Sequence, residues 1–154
     1  MDATDSLIVQ HLAVNGRASW AELGVRLGLS RQTVADRVEK LEQARVITGY
    51  QAVINSEAVG ADLTAFIGVT LDRPEHSAPF LDAVRAWDEV LECHHVAGDD
   101  SYLLKVRTRG TQGLERFISY RLKELHGVVR TRTTVVLSTA KETLLPPLMG
   151  GERP

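Results

Sequence analysis

The spacing of apolar residues changes near Gly49 and Tyr50, and this change limits the possible folds more than any other feature of the sequence. Before this point apolar residues recur at helical spacing, whereas between 63 and 137 strand-like alternation is interleaved with two helical stretches. The 154 residues are enough for one average domain or two small ones. We therefore expect an α+β chain with a helical domain at 1–50, a strand or linker at 51–62, a second domain at 63–145 and a flexible tail at 146–154.

The first domain begins with the signals of two helices. Thr4 or Asp5 is expected to cap the first helix, which ends near Asn15-Gly16. The buried face of this helix is predicted to consist of Leu7, Ile8 and Leu12. Ser19 and Glu22 have the spacing of a capping box, which predicts the start of a second helix.

A third helix is predicted after a short turn at Gly28-Leu29, with Ser30 as its cap. Small residues at Ala21, Gly24 and Ala35 would let the helices approach closely. Two helices joined by a short turn that contains glycine form the helix-turn-helix pattern, here winged-helix-like. The apolar stripe of the third helix is Val34, Val38 and Leu41. Its polar side carries Arg31, Gln32, Thr33, Asp36, Arg37 and Lys40.

The polar side of the third helix is a candidate DNA-contacting surface, although a charged helix face is more often only solvated. A formal net charge of -2 argues against DNA binding by bulk charge alone, but 26–45 contains five basic and three acidic residues. If this helix binds duplex DNA, the hydroxyls of Ser30 and Thr33 would meet phosphates. Arg17 and Lys40 would also contact the backbone. The side chains expected at base edges are Arg31, Gln32, Asp36 and Arg37.

The second domain is predicted to be a sheet covered by helices. The stretch 46–54 is rich in β-branched residues and predicts a strand that leads to it. From 63 onward the elements follow in the order strand, helix, strand, strand, helix, strand, which is the ferredoxin-like βαββαβ arrangement. The helices would cover one face of this sheet. The other face is too apolar for comfortable exposure, so we expect a second subunit to bury it. The residues that suggest this are Phe66, Leu103, Thr134 and Val136.

Three runs of the sequence carry the motifs of one known family, in order and at the right spacing. The run 15–30 resembles the pattern D-G-R-x-S…E-L…G-L-S, 37–50 resembles R-V…L-E…G-x-I-x-G-Y, and 90–105 resembles V-x-E-C-H-x-V-x-G-x-x-D-Y-L-L. The chain therefore resembles the Lrp/AsnC family of transcription regulators that respond to amino acids. Two positions depart from the pattern: Ser101 stands where the family commonly has Asp, and Arg45 where it usually has Gly.

The resemblance implies a regulator with two partners, double-stranded DNA and a small-molecule effector, which the family leads us to expect is an amino acid. It also implies a homodimer that assembles further into a tetramer or octamer, with the effector bound between dimers. Aspartate can accept from the ammonium of an amino acid, and glycine-turn N–H groups and hydroxyls can serve its carboxylate. A plain hairpin turn uses the same residue types, so this alternative stays open. The implied effector residues are Gly98, Asp99, Asp100, Ser101, Tyr102, Thr131 and Thr133.

Two other functions remain open at this point. Siroheme decarboxylases share the two-domain layout and use histidines, and Cys93, His94 and His95 invite the comparison. Adjacent histidines on a strand point to opposite faces, however, which argues against a shared site. The second alternative is a nucleoid-organising protein with weak sequence preference.

Several classes of protein are not expected. The sequence contains no nucleophilic triad, P-loop or dinucleotide fingerprint, so we expect no enzyme activity and no cofactor. A single cysteine excludes intrachain disulfides and cysteine-rich zinc sites, and no metal is expected. No apolar run approaches the roughly 18 residues of a membrane span. We expect a cytoplasmic protein without a membrane partner.

Overall fold

A computed structural model of the chain describes residues 1–143 together with Pro146 and Pro147. These residues form two compact units, one made of 1–53 with the described residues from 141 onward, the other of 54–140. The boundary thus lies three residues beyond the expected end of the first domain. Apart from its two prolines, the expected tail at 146–154 lies outside the described residues.

The N-terminal unit contains helices α1 (Ala3–Val14), α2 (Trp20–Leu27) and α3 (Arg31–Gln43). They pack around one apolar core, which includes the predicted stripe of α3. The buried side chains are Ile8, Leu12, Leu23, Val34, Val38 and Leu41. Leu7 was expected in this core but is 39% exposed.

The predicted cap of α1 is wrong by two to three residues, because the capping residue is Asp2. Its carboxylate accepts from the Asp5 backbone N–H at 2.8 Å, and the Asp5 carboxylate accepts from the Asp2 backbone N–H at 2.9 Å. Asp5 is therefore the reciprocal member of a capping box, three residues inside the helix start. The predicted end is at the right place: Asn15 terminates α1.

The turn between α2 and α3 agrees with its sequence signals. Ser19 and Glu22 form the predicted capping box, and Gly28 ends α2 in the left-handed conformation, with φ 67°. Gly24 has no room for a side chain, because a Cβ there would lie 2.6 Å from the carbonyl oxygen of Leu29. Ser30 caps α3 by accepting from the Thr33 backbone N–H at 3.0 Å. The close approach at Gly24 sets the position of α3 against α2.

The predicted strand at 46–54 is absent. The backbone N–H groups of Val46 and Ile47 instead bond the carbonyl of Leu41, at 2.9 and 3.2 Å, and so continue the end of α3. A strand needs a neighbouring strand for its ladder, and none of the described residues offers one to this stretch. Val53 and Ile54 remain 95% and 60% exposed.

The C-terminal unit has the predicted ferredoxin-like βαββαβ order. The elements are β1 (Leu63–Leu71), α4 (Ser77–Arg85), β2 (Val90–His95), β3 (Tyr102–Thr108), α5 (Gly110–Phe117) and β4 (Val128–Val135). The strands pair antiparallel in the order β2-β3-β1-β4. A 3₁₀ turn precedes α4, and the helix that begins as α5 continues as a π-helical turn over Ile118–Leu122.

The two faces of the sheet differ as alternation predicts. Ala65, Ile67 and Val69 of β1 are fully buried under α4 and α5. On the opposite face, Phe66 pairs in register with Lys105 and Thr134 and is 37% exposed. We call this uncovered side of the sheet the open face. No helix among the described residues is long and apolar enough to cross a membrane.

The close approach at Gly24 gives a testable prediction. Gly24→Ala should lower the free energy of unfolding by about 1–3 kcal/mol, because the added methyl group meets backbone that cannot move away freely. Gly49→Ala is the matched control, since nothing lies within 4 Å of a Cβ there, and it should stay within about 0.5 kcal/mol of the wild type. Urea unfolding followed by circular dichroism measures both. Equal stabilities of the two variants would contradict the packing described for α2 and α3.

Candidate nucleic-acid interface and ligand site

One side of α3 faces solvent and carries most of the side chains predicted to contact DNA. Arg31, Gln32, Asp36 and Lys40 are all exposed, on a helix whose other side is anchored in the core. The amide Nε2 of Gln32 donates to the Asp36 carboxylate at 2.7 Å. These two side chains therefore form one hydrogen-bonding surface one turn apart along the helix.

The start of α3 presents two hydroxyl groups together. The Ser30 and Thr33 hydroxyl oxygens lie 2.8 Å apart, next to the backbone N–H groups of the first turn. A helix N-terminus carries partial positive charge and suits a phosphate group. The structure thus brings together the two residues that the sequence assigns to phosphate contact.

Arg37 is turned away from the other predicted base-contacting residues. Its Nη1 lies 2.7 Å from the carboxylates of both Asp2 and Asp5, at the start of α1. The Asp5 backbone N–H and the Arg37 guanidinium hold the pKa of the Asp2 carboxyl below its ordinary value. Hydrogen bonds to the two carboxylates raise the pKa of Arg37 in turn. Arg37 therefore ties α3 to α1, which sequence periodicity could not show because the partners lie 32 and 35 residues away.

The loop between β2 and β3 is fastened to β1 beside it. Gly98 has φ 149°, which favours glycine. The Ser101 backbone N–H donates to the Val69 carbonyl at 2.8 Å, and its hydroxyl accepts from the Leu71 backbone N–H at 3.1 Å. Ser101 thus makes a defined backbone contact at the position where the family motif commonly has Asp.

Asp100 folds over the open face and is 8% exposed. A Cβ at Gly68 would collide with its carboxylate, so Gly68 makes room for it. Arg132 Nη2 reaches this carboxylate at 2.7 Å, and Arg130 Nη2 lies 3.7 Å from it. Arg130 Nη2 also donates to the Asp99 carbonyl at 3.3 Å.

Arg130 and Arg132 were not predicted as neighbours of the turn. The available signal was their alternation along β4, which puts both on the same face as Phe66. What alternation cannot supply is the register of β4 against β1, since that pairing joins positions about sixty residues apart.

Three of the predicted effector residues do not join the Asp100 cluster. Thr131 and Thr133 pair with Val69 and Ile67, and alternation directs their side chains to the helix-covered side, away from Asp100. Tyr102 is buried in the core, where its ring lies 4.9 Å from that of Phe80. Because side chains alternate between the two faces along β3 and β4, these three residues point away from the face that carries the Asp100 cluster.

The Cys93-His94-His95 run does not form one site. His94 pairs with Leu103 and its Nε2 lies 3.1 Å from a Glu92 carboxylate oxygen, whereas His95 pairs with Tyr102 on the other face. The hydrogen bond from His94, together with Lys105, holds the pKa of Glu92 below its ordinary value, and burial raises the pKa of the Cys93 thiol. Over the described part of the chain, no three His, Cys, Asp or Glu side chains are grouped so as to hold a metal ion.

Comparison with known sequences matches both units to domain families. The profile of the AsnC-type helix-turn-helix domain matches residues 1–42, and that of the Lrp/AsnC ligand binding domain matches residues 64–146. The HTH-type transcriptional regulator LrpA of Mycobacterium tuberculosis is 41% identical over 142 residues, which cover 90% of this chain and 91% of that protein. The leucine-responsive regulatory protein of Escherichia coli is 37% identical over 145 residues, 93% of this chain and 88% of that protein.

Solved structures of similar shape include two complexes with an amino acid. A transcriptional regulator of Neisseria meningitidis in complex with L-methionine has a TM-score of 0.91 at 34% identity, covering 95% of this chain and 96% of that one. The feast or famine regulatory protein of Mycobacterium tuberculosis complexed with L-methionine has a TM-score of 0.86 at 38% identity, covering 94% and 97%.

The Arg37 contacts give a prediction with a defined pH dependence. Arg37→Ala should lower the melting temperature at pH 7, because it leaves Asp2 and Asp5 facing each other without a cation. The lowered pKa of Asp2 means that this contribution is complete above its ordinary value of 3.8 and is lost as the pH falls through the folded-state pKa. The difference in melting temperature between wild type and variant should therefore shrink below about pH 4.

Arg31→Ala is the matched control on the same helix, since Arg31 is exposed. The melting temperature of Arg31→Ala, measured by circular dichroism, should equal that of the wild type across the same pH range. An Arg37→Ala protein that is as stable as the wild type at pH 7 would contradict a role in holding α3 against α1.

Proposed function

Since the chain belongs to the Lrp/AsnC family of transcription regulators, we propose that α3 binds duplex DNA in the major groove and that an amino acid controls this binding. The observation that carries the proposal is the anchored helix α3, whose exposed side presents Arg31, Gln32 and Asp36. A rigid helix with hydrogen-bonding side chains on one side suits base-edge recognition.

The side chains predicted to contact DNA have separate proposed roles. The hydroxyls of Ser30 and Thr33 bind a phosphate, and Lys40, with Arg17 of the turn between α1 and α2, contacts the backbone. Arg31 donates to guanine, whereas Gln32 and Asp36 contact adenine and the cytosine amino group. Arg37 acts as a positioning residue through its contacts with Asp2 and Asp5. These roles are supported by where the side chains lie.

The proposed effector site is the cluster around the turn at 98–101. Asp100 is committed to Arg132, so the exposed carboxylate of Asp99 is the group proposed to accept from the ammonium of an amino acid. Ser101 and the backbone of Gly98 shape the turn. Thr131, Thr133 and Tyr102 are left out of the proposed site, because they lie on the other side of the sheet or in the core. The L-methionine complexes of the two similar regulators support an amino acid as ligand.

The chain is proposed to work as a homodimer that assembles into a tetramer or octamer. Two surfaces support this: the open face around Phe66, and the β-branched residues at 46–54, whose Val53 and Ile54 are exposed. Apolar surface of this kind is normally covered by another subunit. A two-fold pair would also present two copies of α3 to one duplex.

The similar proteins named above are transcription regulators. From membership of the same family we expect that this chain is also a regulator and not an enzyme. A regulator of chromosomal genes works where the chromosome is, which we expect to be the cytoplasm. A nucleoid-organising role is the second candidate, because the same helix-turn-helix would serve it. The ratio of specific to non-specific affinity at stated salt separates the two.

The role of Asp36 predicts a change of base preference. Asp36→Asn should reduce discrimination at one position of the duplex that the wild type selects from random sequence, by about 1–3 kcal/mol. Binding to an unrelated duplex should not weaken. Glu115→Gln is the matched control, because it removes one exposed carboxylate from α5 instead, and it should keep the wild-type preference. Repeating the selection with both variants measures this, and an unchanged preference in Asp36→Asn would contradict contact with bases.

The effector site predicts ligand-dependent stability. At least one of the twenty amino acids should raise the melting temperature, by the equivalent of about 2.7 kcal/mol at a hundred times its dissociation constant. Asp99→Asn should weaken this shift, because the ammonium loses a charged acceptor. Asp82→Asn, on the exposed side of α4 and paired only with Arg85 among the contacts described, should leave it unchanged. If all twenty amino acids leave the wild type unshifted, the proposed ligand class is wrong.

A further inference from the structure

Arg45 has a backbone conformation that side chains rarely adopt. Its φ is 58°, and no other residue except glycine has a positive φ in the part of the chain that the structure describes. In this conformation the Cβ of an L-residue crowds the following carbonyl, which costs conformational energy that glycine avoids. The side chain of Arg45 therefore destabilises the backbone conformation at this position relative to glycine.

The fold imposes this conformation through the end of α3. Ala44 is the C-cap residue of α3, and the backbone N–H of Arg45, the next residue, donates to the Glu42 carbonyl at 2.9 Å. The N–H groups of Val46 and Ile47 then turn back to Leu41. A left-handed residue directly after the cap is the usual way for a helix to end, and it is usually glycine. The family motif that the sequence resembles also has Gly here.

No contact within the described part of the chain accounts for the arginine. Its side chain is exposed, and none of the side chains in the described residues makes a hydrogen bond or ion pair with its guanidinium. Arg45 borders a hollow of about 300 Å³ together with Glu42 and residues 47–50. Glu42 itself accepts from the Tyr50 hydroxyl at 2.8 Å. Burial, together with this hydrogen bond, raises the pKa of Tyr50 to about 12. The positive charge of Arg45 is thus available to a partner outside the chain.

The charge distribution along α3 indicates what that partner is. The exposed side of the helix carries two cations, Arg31 and Lys40, and two carboxylates, Asp36 and Glu39, whose charges offset each other. Arg37 is neutralised by two aspartates. With the charges of α3 nearly balanced, a further cation at the flank of the helix adds directly to its attraction to the DNA backbone. The 13 residues of α3 span about 20 Å, more than the width of the major groove, which is about 12 Å.

We propose that Arg45 binds a DNA phosphate at the edge of the groove that α3 occupies. This contact explains why the chain has arginine at a position where glycine would make the folded protein more stable. The inference rests on the proposed function, because it requires α3 to bind DNA. Ser30 and Thr33 would hold the backbone at the start of the helix and Arg45 at its end. In homeodomains, the C-terminal end of the helix that lies in the major groove contacts the backbone in this way.

The proposal predicts opposite effects of one substitution on stability and on binding. Arg45→Gly should raise the melting temperature, because glycine accepts the positive φ without crowding. It should also reduce the slope of log affinity against log salt by about 0.9 for each bound protomer, which is about an eightfold loss at 0.1 M salt. The loss should be equal for the duplex that the wild type selects and for an unrelated duplex of the same length.

Two further variants separate charge from backbone effects. Arg45→Lys keeps the charge and the crowding, and should retain the wild-type melting temperature and salt slope. Arg45→Asn tolerates the positive φ without charge, and should bind DNA as weakly as Arg45→Gly. Light scattering should give the same molar mass for all four proteins.

The outcomes distinguish this inference from the proposed function. If the wild type binds no duplex, the proposed function fails and the inference falls with it. If the wild type binds but Arg45→Gly and Arg45→Asn keep its salt slope, only the inference is wrong. A loss confined to the selected duplex would make Arg45 a base contact, and a reduced molar mass would make it a subunit contact; either result overturns the phosphate assignment.

Discussion

The contact between Gly24 and the carbonyl of Leu29 is the constraint on which the N-terminal unit depends. It allows α2 to lie so close to the following turn that a single methyl group would separate them. Gly28 then ends α2 in the left-handed conformation. Ser30 caps α3, and the apolar stripe of α3 faces the core. The direction of every polar side chain on α3 follows from this arrangement, because a helix fixes where each residue points once one side is buried.

The charges around α3 are divided between holding the helix and meeting a ligand. Asp2 and Asp5 cap α1 and also hold Arg37, so the acidic start of the chain and the middle of α3 stabilise each other. The exposed side is left with Arg31, Gln32 and Asp36, which offer both donors and acceptors. Such a mixed surface suits base edges better than the uniformly negative backbone, and backbone attraction then depends on cations at the ends of the helix.

Local signals in the sequence predict most of the fold. Periodicity locates the helices and strands, capping residues such as Ser19 and Ser30 locate helix starts, and alternation assigns the two faces of the sheet. They fail where a partner is distant or missing. Thr4 and Asp5 are both wrong as caps of α1, because local signals do not show that Asp2 and Asp5 bond each other. The β-branched residues at 46–54 form no strand because none of the described residues offers them a neighbouring strand. Arg37 with its aspartates and Asp100 with Arg132 join residues more than thirty positions apart, which sequence spacing does not reveal.

The central claim is that α3 lies in the major groove and that two copies do so on one duplex. Methylation protection on the selected duplex tests it most directly, because dimethyl sulfate modifies guanine N7 in the major groove and adenine N3 in the minor groove. Two groups of protected guanine N7 atoms, centred about one helical turn or a multiple of it apart, are the expected result. Full affinity with every guanine N7 still reactive, or protection restricted to adenine N3, would show that α3 does not contact bases in the major groove.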